Sequence, residues 1–153
     1  MFAEIQARAA EAAGPVAKAM ADTYKTHLTR VTLQKYHSAP GQYGTPSPPY
    51  VGPVASRTGR LAASVTSVMG ASGPGFGSAT VGPHTIYAAT QEWGDVHTAH
   101  THFMHWVNDR GAWWKKRVTI PRRPYMEPAL DDVIGDGSLS RVAMEMFMSI
   151  VWP

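Results

Sequence analysis

Four imidazoles fall within nine positions of this chain, His97, His100, His102 and His105, with the Asp95 carboxylate just ahead of the first. Neutral imidazoles and carboxylates are ligands for zinc or another divalent ion. The spacing is neither the His-Glu-x-x-His of a metalloprotease helix nor that of a zinc finger. Inside the run no carboxylate stands as a general base. The neighbours are a glycine and short polar residues, as in a solvated or interface loop. The expectation is therefore no bound metal; if the histidines face another subunit, their charging below neutral pH would weaken contacts.

No other catalytic set is present. The chain has no cysteine, no Gly-x-Ser-x-Gly elbow and no glycine-rich phosphate loop followed by lysine. The glycines between Gly70 and Gly82 surround Pro74 without a helix start, which suits a hairpin tip better than a nucleotide fingerprint. Lys115, Lys116, Arg117, Arg122 and Arg123 form the one basic concentration. On a strand they alternate between faces, so a solvated edge is the bland reading. Lining a lumen that DNA passes through is the sharper one, for which Lys115, Lys116, Arg122 and Arg123 are the candidates. The chain is expected not to be an enzyme and to need no cofactor.

The elements that must hold these residues are read from periodicity. Apolar residues at Phe2, Ile5, Ala9, Ala12, Val16, Met20, Tyr24 and Leu28 form one helical stripe, kinked where Gly14-Pro15 removes a hydrogen bond. Residues 38–57 contain five prolines and three glycines, which predicts an extended loop, either a docking arm or disorder, with Tyr43 and Tyr50 as apolar handles. A short helix from Leu61 leads into a strand to Gly70, a turn at Ser72–Gly75 and a returning strand at Ser78–Gly82. Ile86 to Trp93 reads as a short helix capped by Gly94. Residues 95–111 read as a polar, aromatic-rich insertion, and Ala112 to Ile120 as a strand.

The strand's end, Arg122-Arg123-Pro124-Tyr125-Met126-Glu127-Pro128-Ala129-Leu130, organises the rest. Pro124 keeps Arg123 out of helical geometry, and Pro128 fits only in a helix's first turn. Tyr125, Met126, Ala129, Leu130, Val133 and Ile134 then share an inward face. Ser138 is placed to cap a last helix whose stripe is Leu139, Val142, Ala143, Met146 and Ile150. Strands with helices at both ends and no alternating rhythm indicate α+β: an antiparallel sheet packed with a long N-terminal, a short central and a C-terminal helix, with long irregular loops. With 153 residues and 44% hydrophobic content, one domain over 1–153 is expected. A net charge of +3 allows contact with nucleic acid without arguing for it. No apolar run is long enough to span a bilayer, and no signal peptide is evident, so a soluble protein made in a cytoplasm is expected.

Three segments, in order, resemble a known family. Gly52-Pro53-Val54-Ala55-Ser56-Arg57-Thr58-Gly59-Arg60-Leu61-Ala62-Ala63-Ser64-Val65 is similar to its Pro-Val-x-Thr-Gly-x-Leu-x-x-Ser-Ile segment. Tyr87-Ala88-Ala89-Thr90-Gln91-Glu92-Trp93-Gly94 resembles its Tyr-Ala-x-x-x-Glu-x-Gly helix, and Arg123 to Leu130 its Arg-Pro-Phe-Met-x-Pro-Ala-Leu corner. The family is the neck, tail-completion or head-to-tail connector proteins of long-tailed DNA bacteriophages, also called minor tail proteins. The resemblance implies a structural virion protein at the head–tail junction, made in the host bacterial cytoplasm. It implies a homo-oligomeric ring, hexameric or dodecameric, joined to other neck and tail proteins, with transient DNA contact in the lumen and no membrane. A tail terminator capping the tail tube is the alternative station, and a His-dependent metal enzyme the alternative class. Subunit contacts that bury aromatic surface are then expected at Tyr43, Tyr50, Trp93, Trp106, Trp113 and Trp114. The 38–57 loop and the 95–111 insertion are longer than that family's pattern.

Overall fold

The computed structural model describes residues 2–33, 59–100, 103–108 and 111–153. The helix of the N-terminal stripe runs as α1 (Phe2–Glu11) and α2 (Ala13–His27). Ala12 between them keeps helical dihedrals, and the Val16 amide still donates to its carbonyl at 2.9 Å. The interruption sits one turn ahead of Pro15, which has no N–H to offer the Glu11 carbonyl. This is the expected kinked helix. After His27 the chain widens into a π-turn, Leu28–Thr32, closed by the Leu33 amide donating to the Leu28 carbonyl at 2.9 Å. The extra residue per turn brings Leu28 and Leu33 to the same side, and both are fully buried.

Gly59, with φ of +68°, turns the chain into α3 (Arg60–Ala63). β1 (Val65–Gly73) and β2 (Phe76–Pro83) follow as an antiparallel hairpin, with Val65 opposite Pro83 and Gly73 opposite Phe76. The hairpin tip rests on the helix interruption, where the Gly75 amide donates to the Ala10 carbonyl at 2.8 Å. α4 (Ala88–Trp93) ends at Gly94, whose φ of +73° no side-chain-bearing residue adopts easily. α5 (Met126–Gly135) and α6 (Ser138–Val151) complete the chain. The fold is α+β as expected. α2 is its spine, packed by the β1/β2 hairpin, α5 and α6. At one end of α2, Leu28, Leu33, Leu61, Val65, Ala88, Tyr125 and Ala129 form a single buried cluster.

Five expectations are corrected. Residues 95–111 are not an irregular insertion: β3 (Asp95–Thr98) and β4 (Met104–Asn108) lie in it, because valine, threonine and tryptophan there fit pleated pairing. The strand expected at Ala112–Ile120 is two, β5 (Gly111–Lys115) and β6 (Arg117–Ile120), broken at Lys116. The described strands form three two-stranded ladders instead of one sheet. Phe2, Leu130 and Ile134 are exposed, because α1 extends past the core and only Ala129 and Val133 of α5 are fully buried, with Met126 packed beside them. Gly137, in the left-handed region at φ +72°, occupies the cap position of α6 in place of Ser138. Ser138 is buried one residue on, its hydroxyl donating to the Val133 carbonyl at 3.1 Å. The 38–57 segment lies outside the described residues. Among the described residues no helix is long and apolar enough to cross a membrane.

Candidate interaction surface

β3 pairs with β6, and β4 with β5, so the described residues between 95 and 120 make one nested arm. In its root Asp95 faces Ile120 and Thr98 faces Arg117; in its outer tier Met104 faces Lys115 and Asn108 faces Gly111. The Ala99 amide donating to the Lys116 carbonyl at 2.8 Å carries the ladder across the junction. Nine cross-strand pairs at the usual rise give the arm a length of about 30 Å. Beyond its own pairing, the arm packs extensively against no other element among the described residues.

The arm is anchored at its base by Glu92, a carboxylate only 4% exposed. Its Oε2 accepts the Tyr125 amide at 2.8 Å and the Met126 amide at 3.2 Å, the two N–H groups that open α5. A carboxylate at a helix N-terminus meets unsatisfied donors and the positive end of the dipole at once. The Arg123 amide donates to the Gln91 carbonyl at 2.8 Å, and the Tyr125 hydroxyl to the Ala88 carbonyl at 3.2 Å. Burial, reinforced by the Glu92 charge, pushes the Tyr125 phenol up to about 12, and that of Tyr24 likewise to about 12. Tyr24 in turn donates to the Met126 carbonyl at 2.9 Å. Glu92 therefore ties α4 to the corner and to the helical spine.

The described histidines of the run do not converge. His97 is exposed on β3, 3.6 Å from the Asp95 carboxylate and paired in register with Val118. His100 is exposed in the bend beyond β3, and His102 lies outside the described residues. His105, on β4, stacks on Trp114 with ring centroids 4.1 Å apart. Among the described residues no group of three or more His, Cys, Asp or Glu is placed to hold a metal.

Two aromatic candidates are placed on the surface. Trp93 is 69% exposed beneath the Arg122 guanidinium, 5.3 Å from its ring, and Trp114 is 62% exposed on the arm. Trp106 and Trp113 face each other in the β4/β5 register; their side chains, like all of Tyr43 and Tyr50, lie outside the described residues. The cations separate into two groups. Arg122 bonds to Glu127 at 3.2 Å and Arg123 is held at the corner, whereas Lys115, Lys116 and Arg117 stand exposed at the arm's junction. Lys116 lies 5.6 Å from the Phe103 ring.

Sequence reasoning did not find an open cleft of about 480 Å3 between α2, α4 and α5. Tyr24, Ala88, Trp93, Tyr125 and Leu130 line it, with Glu92 and Glu127 as its acidic members. Such a groove accepts an apolar side chain. The one sequence signal for it was the Glu-x-Gly helix end in the second motif, since Glu92 has its partners 33 and 34 residues away. Comparisons with known protein families, curated proteins and solved structures find no match.

Proposed function

We propose that the chain is a non-enzymatic structural subunit of a bacteriophage head-to-tail connector, assembling as a ring at the neck. The observation that carries this reading is the meeting of the three motif segments in one place. Leu61 and Val65 from the first, Ala88 from the second, and Tyr125 and Ala129 from the third share the buried cluster, and Glu92 ties the second segment to the third. The described residues of the resemblance thus meet in a single packed unit, as a shared fold requires. Trp114, Lys115, Lys116 and Arg117 stand exposed outside that unit, on an arm that packs extensively against no other element among the described residues. A ring subunit has such surface, because neighbours cover it on assembly.

The test is the protein's station in particles of the phage that encodes it, arrested before heads join tails. Gold-labelled antibody on filled heads supports the neck ring. Label on isolated tails moves the chain to the tail terminator. Absence from both, with the protein present in the infected cell, overturns the virion reading.

A further inference from the structure

The outer helix α5 carries Glu127, Asp131 and Asp132 and no lysine or arginine. Between these acids Leu130 and Ile134, four residues apart and 41% and 59% exposed, make an apolar stripe with nothing over it among the described residues. Leu130 is also a wall of the cleft in which Tyr24, Trp93 and Tyr125 lie. At the arm junction the chemistry is opposite in charge and alike in apolar character. Lys115, Lys116 and Arg117 are consecutive and exposed, and no carboxylate pairs with them among the described residues. Trp114 and Phe103, 62% and 52% exposed, stand beside them.

We infer that the arm of one copy docks on the α5 face of the next, with Trp114 toward the cleft beside Leu130 and Lys115–Arg117 against Glu127 and Asp131. This rests on the ring reading and names the contact that would build it. Charge complementarity favours a second copy as the occupant. Each chain carries both halves of the contact on different elements, so the pairing is head-to-tail and repeats around a ring without using up either half. An arm–arm pairing would instead bring like charges together. The exposed apolar residues supply the contact's core and the charges its rim.

The chain has no cysteine, which makes site-directed cross-linking clean. Trp114→Cys and Ile134→Cys are made separately in full-length protein, given tags of different size, mixed, and treated with a short bismaleimide. The expected result is a cross-link between the two variants and none within either alone. Cross-linking of Trp114→Cys to itself overturns the inference in favour of arm–arm pairing. Cross-linking of Ile134→Cys to Tyr50→Cys, with none to Trp114→Cys, overturns it in favour of the 38–57 segment as the occupant.

In parallel, sedimentation velocity is run on the parent, on Glu127→Lys/Asp131→Lys, on Lys115→Glu/Lys116→Glu, and on a mixture of the two variants. Each variant alone is expected to self-associate about tenfold more weakly, and the mixture to recover. Circular dichroism verifies that all are folded. A parent that forms rings while neither reversal weakens them overturns this contact and leaves the ring reading standing. A parent that stays monomeric at every concentration overturns both.

Discussion

Replacing Glu92 with alanine removes the acceptor for two amides that α5 cannot satisfy internally. The Oε2 contacts of 2.8 and 3.2 Å to Tyr125 and Met126 are hydrogen bonds to a charged group in a site 4% exposed. Such bonds contribute about 1.5–3 kcal/mol each. Stranding both donors and leaving a void in place of the side chain gives a loss of roughly 3–5 kcal/mol. That is a large share of the about 5–15 kcal/mol that holds a domain folded. Glu92→Gln keeps an oxygen where Oε2 sits and loses only the charge, so its loss should be about 1–2 kcal/mol. Urea melts followed by tryptophan fluorescence and far-ultraviolet circular dichroism measure both. A loss under about 1 kcal/mol for alanine, or equal losses for alanine and glutamine, would refute the helix-opening role. A second readout follows from the charge: Glu92→Gln should lower the Tyr125 phenol from about 12, though burial, the larger cause, keeps it raised.

Tyr125→Ala should cost about 3–5 kcal/mol, since the ring is 1% exposed and Pro124 and Pro128 restrain collapse around the cavity. His100→Ala, at an exposed bend, should stay within about 0.5 kcal/mol in the same melts. If the histidine change unfolds the subunit and the tyrosine change does not, the scaffold assignment is wrong. Gly94→Ala should cost roughly 2–3 kcal/mol, because the residue sits at φ +73° and a Cβ would lie 2.9 Å from the Arg122 nitrogen; a neutral thermal melt would contradict this. Tyr24 and Tyr125 are raised to about 12 in the folded chain, against about 10 unfolded. Their contribution is therefore whole below about pH 10 and is lost as pH rises through about 12, so melting temperature should fall over that window and Tyr125→Phe should flatten the fall.

The parts of the fold legible in the sequence are those written in local chemistry. Pro124, Pro128 and the buried Tyr125 mark the corner, and Pro74-Gly75 marks the first hairpin. Periodicity found α1, α2 and α6 but could not say where the core ends. Phe2 continues the stripe in phase and still lies beyond any neighbour that would bury it. Leu130 and Ile134 sit at helical spacing with Tyr125 yet point to the side of α5 that the fold leaves open. The nested arm was missed because aspartate, asparagine and glycine at its strand ends dilute strand preference, and the pairing of residue 95 with 120 is not local. At the start of α6, the serine preference for a cap was overridden by glycine's access to positive φ one position earlier.

The spine has one more consequence, and it concerns time. Tyr24 reaches Met126 across 102 residues, and α2 packs on α6, the last helix of the chain. The hairpins pair strands close in sequence and can zip as soon as they are made. The N-terminal helix cannot do the same. Its β1/β2 partner follows at residues 65–83, but the side of α2 that packs on α6 has no native cover until Ser138–Val151 has been translated. Closure of the α2/α6 packing thus waits for a segment more than a hundred residues further on, and throughout that interval the uncovered side of α2 is in need of protection from wrong contacts.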